Sequence, residues 1–185
     1  MFATRLRPHS VLIMVVVATG AEPQPGALSV YDVLEGRVRI ERGQRVVLID
    51  EEGNYRAAGT SEFLADRGAE VHHVTGASAV GKALHLVIQT PLLFRLREKS
   101  VRFWLEREVE RVEGRKVMLG HVHGGEAETI DEVDLVVAAA WHRPREGVFA
   151  SLKGKVQELY AIGDCVAPRS CLEAIREGYS TGRAL

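Results

Sequence analysis

Apolar residues in this chain fall into short continuous runs divided by polar turns. The first run, Val11–Ala18 (VLIMVVVA), ends on Thr19-Gly20, and a loop rich in Pro, Gly and Ala follows over Glu22–Leu28. Val46–Ile49 is a second run of strand length. Tyr55–Arg67 places Ala57, Ala58, Ser61, Leu64 and Ala65 near helical spacing, and Gly68 stops it. Val71–Val74 is the next strand, so residues 46–74 predict a β-α-β unit of a parallel sheet. Pro91–Lys99 predicts a second helix. Val101–Trp104, Glu108–Val112, Lys116–Val122 and Glu128–Ile130 have strand character, with Gly114 and Gly124-Gly125 as turns, and predict a small antiparallel meander. Leu135–Ala140 is a third parallel-type strand. Tyr160–Ile162 leads into Gly163-Asp164, and a helix closes the chain from about Cys171. The expected fold is α/β: a Rossmann-like parallel sheet with flanking helices and an antiparallel meander.

Composition narrows the function classes. The 185 residues suffice for one large domain or two small lobes. Hydrophobic residues at 46% and charged residues at 26% are ordinary for a soluble chain, and a net charge of −1 leaves no electrostatic footprint for nucleic acid. Cys165 and Cys171 cannot make a disulfide scaffold and suit a reducing, cytoplasmic setting. The N-terminus has two readings. Met1–Ser10 is basic and acid-free and is followed by VLIMVVVA, which imitates a signal peptide. The same run also reads as a buried strand, and it is too short to cross a bilayer as a helix.

Three landmarks stand in a telling order: VVVATGAEP over Val15–Pro23, VVLIDEEGNYRAAGTSEFLADRGAEVHHVT over Val46–Thr75, and YAIGDCVAPR over Tyr160–Arg169. Together they resemble the C-terminal half of flavoproteins with two dinucleotide-type domains. The group in question holds trimethylamine dehydrogenase and 2,4-dienoyl-CoA reductase, the NADH:flavin oxidoreductases. The resemblance favours the strand reading of Val11–Ala18. It implies an NAD(P)-type lobe inserted into a FAD-type lobe, with residues 1–43 and 158–185 in the outer lobe and 44–157 in the inserted one. It implies FAD or ADP as the nucleotide, with FMN and an iron–sulfur cluster only where an N-terminal barrel is also present. That barrel, or a partner subunit, is the expected partner. No GxGxxG segment precedes Val15, so the expectation is a fragment of a flavin-dependent oxidoreductase that is inactive alone.

The resemblance also implies the cofactor-binding residues: Thr19 and Gly20 at the first turn, Gly163 and Asp164 at the second. In the family this Asp accepts a hydrogen bond from a sugar-like hydroxyl of the flavin nucleotide. The plainer reading of each is a residue that ends a strand in a turn. Glycine at these turns permits positive φ and close backbone approach to a ligand. Ser170 and Glu173 have the spacing of a helix cap, and Gly178 and Gly182 let the last helix pack closely.

The loop after Val46–Ile49 is where an NAD(P)-type domain carries its phosphate-binding glycines. Here it reads Asp50-Glu51-Glu52-Gly53-Asn54-Tyr55. Like charges about 4 Å apart repel by about 1 kcal/mol in water, and by about 4 kcal/mol at an effective dielectric of about 20. The site is therefore expected to be silent, and the carboxylates to occupy the anion position near the helix N-terminus themselves. A metal-bridged binder is the alternative. Trp141–Pro144 stands where the family has a second TG turn.

Gly76-Ala77-Ser78-Ala79-Val80-Gly81-Lys82-Ala83 nearly matches a phosphate-cradling loop, but Ala83 replaces the hydroxyl that holds magnesium. His121 and His123 would share a strand face without an evident third metal ligand. No general acid, base, nucleophile or metal set is legible. Two rivals to the oxidoreductase reading stay open: a non-catalytic structural or nucleotide-binding lobe, and a phosphate-loop nucleotide hydrolase built on Gly76–Lys82.

Overall fold

The computed structural model describes residues 14–22, 28–140 and 142–185. Residues 11–13 of the first apolar run, most of the Pro-rich loop and Trp141 lie outside them. The chain forms two compact units, one from its central part, Pro23–Trp141, and one from its two flanks.

The central unit holds a five-stranded, all-parallel sheet in the order β3 (Leu28–Ser29), β10 (Leu135–Ala139), β4 (Arg45–Asp50), β5 (Glu70–Thr75), β6 (Arg102–Leu105). Parallel strands covered on both faces need apolar side chains on both, which is why β4 is a continuous run. Val46, Val47 and Leu48 are all buried. Helix α2 (Tyr55–Asp66) lies against one face through Ala57, Ala58, Ser61 and Leu64. Asn54 caps its start by accepting from Arg56 N. Gly68 (φ 83°) ends it, and a side chain there would press on Arg42. Helix α3 (Leu86–Glu98) joins the same layer through Leu92 and Leu96. The short α1 (Val30–Leu34) is capped reciprocally by Ser29 and Asp32. On the other face, an antiparallel ribbon of β7 (Arg107–Glu113), β8 (Lys116–His121) and β9 (Glu128–Ile130) contributes Val117, Leu119 and Ile130 to a core with Val47 and Val74. The layers are helices, sheet and meander, an α/β fold as expected.

Several details differ from the sequence expectation. Arg102–Leu105 is not a meander strand but the parallel edge strand beside β5. Helix α3 begins at Leu86 rather than Pro91: His85 caps it, and Pro91, in its second turn, leaves only the carbonyl of exposed Val87 without an intrahelical donor. β8 ends at His121, so His123 sits in the following turn and not on a strand face. The two compact units divide at 22/23 and 141/142. β3 pairs with β10, which draws residues 28–34 into the central unit.

The flanking unit holds two small sheets. β1 (Met14–Val17) and β12 (Glu158–Ala161) pair in parallel, and β2 (Ala21–Glu22) pairs with β11 (Arg143–Pro144) in antiparallel. It also holds α4 (Gly147–Leu152), a one-turn 3-10 segment at Gly163–Cys165, and α5 (Cys171–Ala184). Among the described residues no helix is long and apolar enough to cross a membrane.

Candidate functional site

In the flanking unit the chain turns sharply after each parallel strand, and the turns meet. Gly20 (φ 72°) follows β1, and Gly163 (φ 69°) follows β12. Both are left-handed, where an L side chain is strained. With Ala18, Ile162, Asp164, Cys171 and Ala174 they line a hollow of about 390 Å³ beside the start of α5. Thr19 is directed elsewhere: its hydroxyl donates to Arg145 O at 2.8 Å and ties the turn to the β2–β11 ribbon. The structure therefore brings together Gly20, Gly163 and Asp164 of the four expected residues, and gives Thr19 a bracing role.

Helix α5 organises the second turn. Ser170 caps it by accepting from Leu172 N, and donates its own hydroxyl to Glu173. Asp164 Oδ1 accepts from Arg169 N at 3.3 Å. Glu177, one face along the helix, accepts from Gly163 N at 2.6 Å and pairs with Arg169. The Gly163 N–H and the Arg169 guanidinium hold the Glu177 carboxyl below its usual range. Glu177 was not evident from sequence; only its helical spacing from Ser170 hinted at it. Beneath the turns, buried Cys165 donates to Val17 O and Ile162 O, whereas Cys171 is exposed; both are free thiols.

The second candidate lies in the central unit, at the carboxyl ends of β4 and β5, where ligands of open parallel sheets bind. A cleft of about 680 Å³ opens there, lined by Asp50–Gly53, Thr75–Ala77, Lys82 and Arg107–Val109 among others. The loop after β4 is closed by its own side chains. Asp50 Oδ1 accepts from Glu52 N at 3.0 Å and Gly53 N at 2.7 Å. Glu52 is buried and paired with Arg56, which also donates to the Tyr31 hydroxyl. Glu51 N donates to Ala139 O and bridges β4 to β10. Residues 76–84 fold over the same loop, with Ala83 N donating to Gly53 O at 2.8 Å. Lys82 falls before the His85 cap of α3 and, among the described residues, reaches Ser78, whereas a phosphate-cradling lysine opens its helix. The His121 and His123 rings lie tilted to one another with centroids 5.5 Å apart, and among the described residues no three His, Cys, Asp or Glu gather as a metal site.

Residues 28–133 match the family of OYE-like second alpha/beta domains. The N,N-dimethylglycine/sarcosine dehydrogenase of Chromohalobacter salexigens is 27% identical, over 92% of this chain and 30% of its own length. A metal reductase of Desulforamulus reducens is 23% identical, over 90% of this chain and 30% of its own. Histamine dehydrogenase from Rhizobium sp. 4-9 superposes with a TM-score of 0.82 at 22% identity, over 93% of this chain and 30% of that one. The chain thus spans about 30% of the length of the curated relatives it matches.

Proposed function

The chain belongs to the family of OYE-like second alpha/beta domains, and from that premise we propose that it is the nucleotide-binding portion of a flavin-dependent oxidoreductase. The observation that carries this reading is the convergence of Gly20, Gly163 and Asp164 at the carboxyl ends of two parallel strands, beside the start of α5. The ligand is FAD or ADP. The hollow has the size of a ribose- or ribityl-phosphate portion, not of a whole dinucleotide. A fit test supports it: Gly20 has open space where a Cβ would stand, and Asp164 keeps acceptor capacity beyond the long bond from Arg169 N. Asp164 would accept from a sugar hydroxyl, Gly20 would let the backbone close on the ligand, and the first turn of α5 would face a phosphate. The flavin supplies the electron or hydride transfer; this chain supplies position and electrostatics.

The NAD(P)-type site of the central unit is silent on this reading. Asp50 takes up the loop N–H groups, exposed Glu51 opposes phosphate, and residues 76–84 cover the loop. The remaining machinery belongs to a barrel or partner subunit. The apolar stripe of Leu172, Ile175 and Tyr179 exposed on α5 supports such a covering polypeptide. Two free thiols fit a cytoplasmic setting.

The test is calorimetric titration of the chain with ADP and FAD, alongside Asp164→Ala and a control, Asp131→Ala, whose exposed side chain pairs with Lys116 at the surface. A hydrogen bond to a charged group contributes about 1.5–3 kcal/mol, so Asp164→Ala should weaken binding roughly ten- to a hundredfold. Equal affinities, or no saturable binding, would overturn the assignment. NADH binding in the micromolar range, altered by changing the exposed Glu51 of the same loop, would overturn the silent site.

A further inference from the structure

We propose that the loop after β4 is a built anion hole whose resident anion is the Asp50 carboxylate, and that His73 and Ser61 are the residues that position it. The inference rests on the reading that this loop stands where a nucleotide's phosphates would be cradled. Asp50 is buried to its carboxylate. Among the described residues no Lys or Arg pairs with it; its partners are the N–H groups of Glu52 and Gly53 on Oδ1 and His73 Nε2 at 3.1 Å on Oδ2. A carboxylate taken out of water costs several kcal/mol unless its lone pairs are met. Convergent N–H donors next to a helix N-terminus meet them as they would meet a phosphate. Its neighbour Glu52 solves the same problem differently, with Arg56.

The imidazole orientation follows from the chain of contacts. Ser61 lies on the inner face of α2, wholly buried, with Oγ 2.8 Å from His73 Nδ1. An ionised carboxylate only accepts, so Nε2 carries a proton toward Asp50. The His73 ring is held edge-on to Phe103. Packing alone calls for nothing polar at 61 or 73. Both sit where apolar residues would fill the space between α2 and β5, and both spend their polar atoms on the line that ends at Asp50. The closed shape of the loop is therefore set by an internal ligand, which a small carboxylate of similar size can replace.

Chemical rescue tests this. Asp50→Ala leaves three buried donors unmet and should lower the melting temperature by on the order of 10 °C. Sodium formate should restore at least half of that loss in a saturable manner, while wild-type protein in the same solutions hardly moves. An Asp50→Ala protein that melts like wild type, or a formate response equal in both, overturns the proposal. Should Asp50→Ala not fold, amide exchange in His73→Phe and His73→Gln decides. The Glu52 and Gly53 amides should exchange at least tenfold faster in His73→Phe and regain protection in His73→Gln, with the β7–β9 meander unchanged. Unchanged protection in His73→Phe overturns the proposal. No arm contains nucleotide, so its failure is distinct from failure of the silent-site reading, which the NADH titration judges.

Discussion

Glu52→Gln isolates the part of the acidic loop that holds the fold from the part that would repel a phosphate. The Glu52 side chain is wholly buried. Its Oε2 accepts from Arg56 Nε at 2.9 Å and Asn54 Nδ2 at 3.0 Å, and its Oε1 accepts from Arg56 Nη2. Arg56 in turn donates to the Tyr31 hydroxyl and lies over that ring, so the pair anchors α1 to the start of α2. Breaking a fully buried ion pair costs about 3–5 kcal/mol, because the surviving charge is stranded. The Arg56 side chain keeps 26% exposure, so water can reach the stranded cation. The glutamine also retains an acceptor of the same shape. The expected loss is thus about 2–3 kcal/mol, a fall in melting temperature of about 5–10 °C for a chain of this size. Urea and thermal denaturation measure it. Adding Arg56→Met should recover part of the loss, since the stranded cation goes with it, and the double-mutant cycle reports the coupling. A Glu52→Gln protein within about 0.5 kcal/mol of wild type would refute the reasoning. If the expected loss is found, glycine reversion of the loop cannot recreate a phosphate site without first weakening the contact between α1 and α2.

Two further outcomes are expected. Burial holds His72 below its ordinary value against the pull of Glu70, and Trp104 Nε1 donates to its Nδ1. The unfolded chain therefore binds the proton first as pH falls through about 6.5, so stability is complete above about pH 7 and declines toward pH 5. Melting curves across that range should show a slope that His72→Gln reduces; identical slopes would count against it. Gly163→Ala should cost about 1–2 kcal/mol through its positive φ alone, because Ala174 leaves ordinary room for the methyl group. The helical control Gly178→Ala should be neutral or stabilising, and equal effects of the two would show that the turn is not strained.

The parallel strands were legible because a strand covered on both faces tends to be continuously apolar, as β4 is over Val46–Ile49 and β10 is throughout, whereas β5 is buried from Val71 to Thr75 with His72 and His73 between its valines. β6 was not. Arg102–Leu105 is followed after a single residue, Glu106 at φ 55°, by β7, so no Gly or Pro marked the point where the chain leaves the sheet for the meander. Helix α1 spans five residues, too few for any period; its one local sign was the Ser29–Asp32 cap. Pro91 has the look of a helix start, yet α3 runs through it, because Val87, the residue whose carbonyl it leaves without a donor, faces water.

The two sites differ in legibility for the same reason. Gly163-Asp164 is a contiguous motif at a strand end, so its position could be inferred before any packing was known. The Asp50 loop could be recognised as acidic, and the idea that a carboxylate fills the anion position needed only that loop. What holds the carboxylate could not be read, because Ser61, His73 and Asp50 come from a helix and two strands and meet only when α2 crosses β5. Asp134 makes the converse point. It stands just before β10, where its Oδ2 accepts from Arg45 N at 2.8 Å and its Oδ1 pairs with Arg115. A polar residue at a strand's amino end is remote from ligand chemistry but not from the backbone accounting of the sheet. Asp134→Ala is thus expected to lower the melting temperature, measured by thermal denaturation, through the lost bond to Arg45 N.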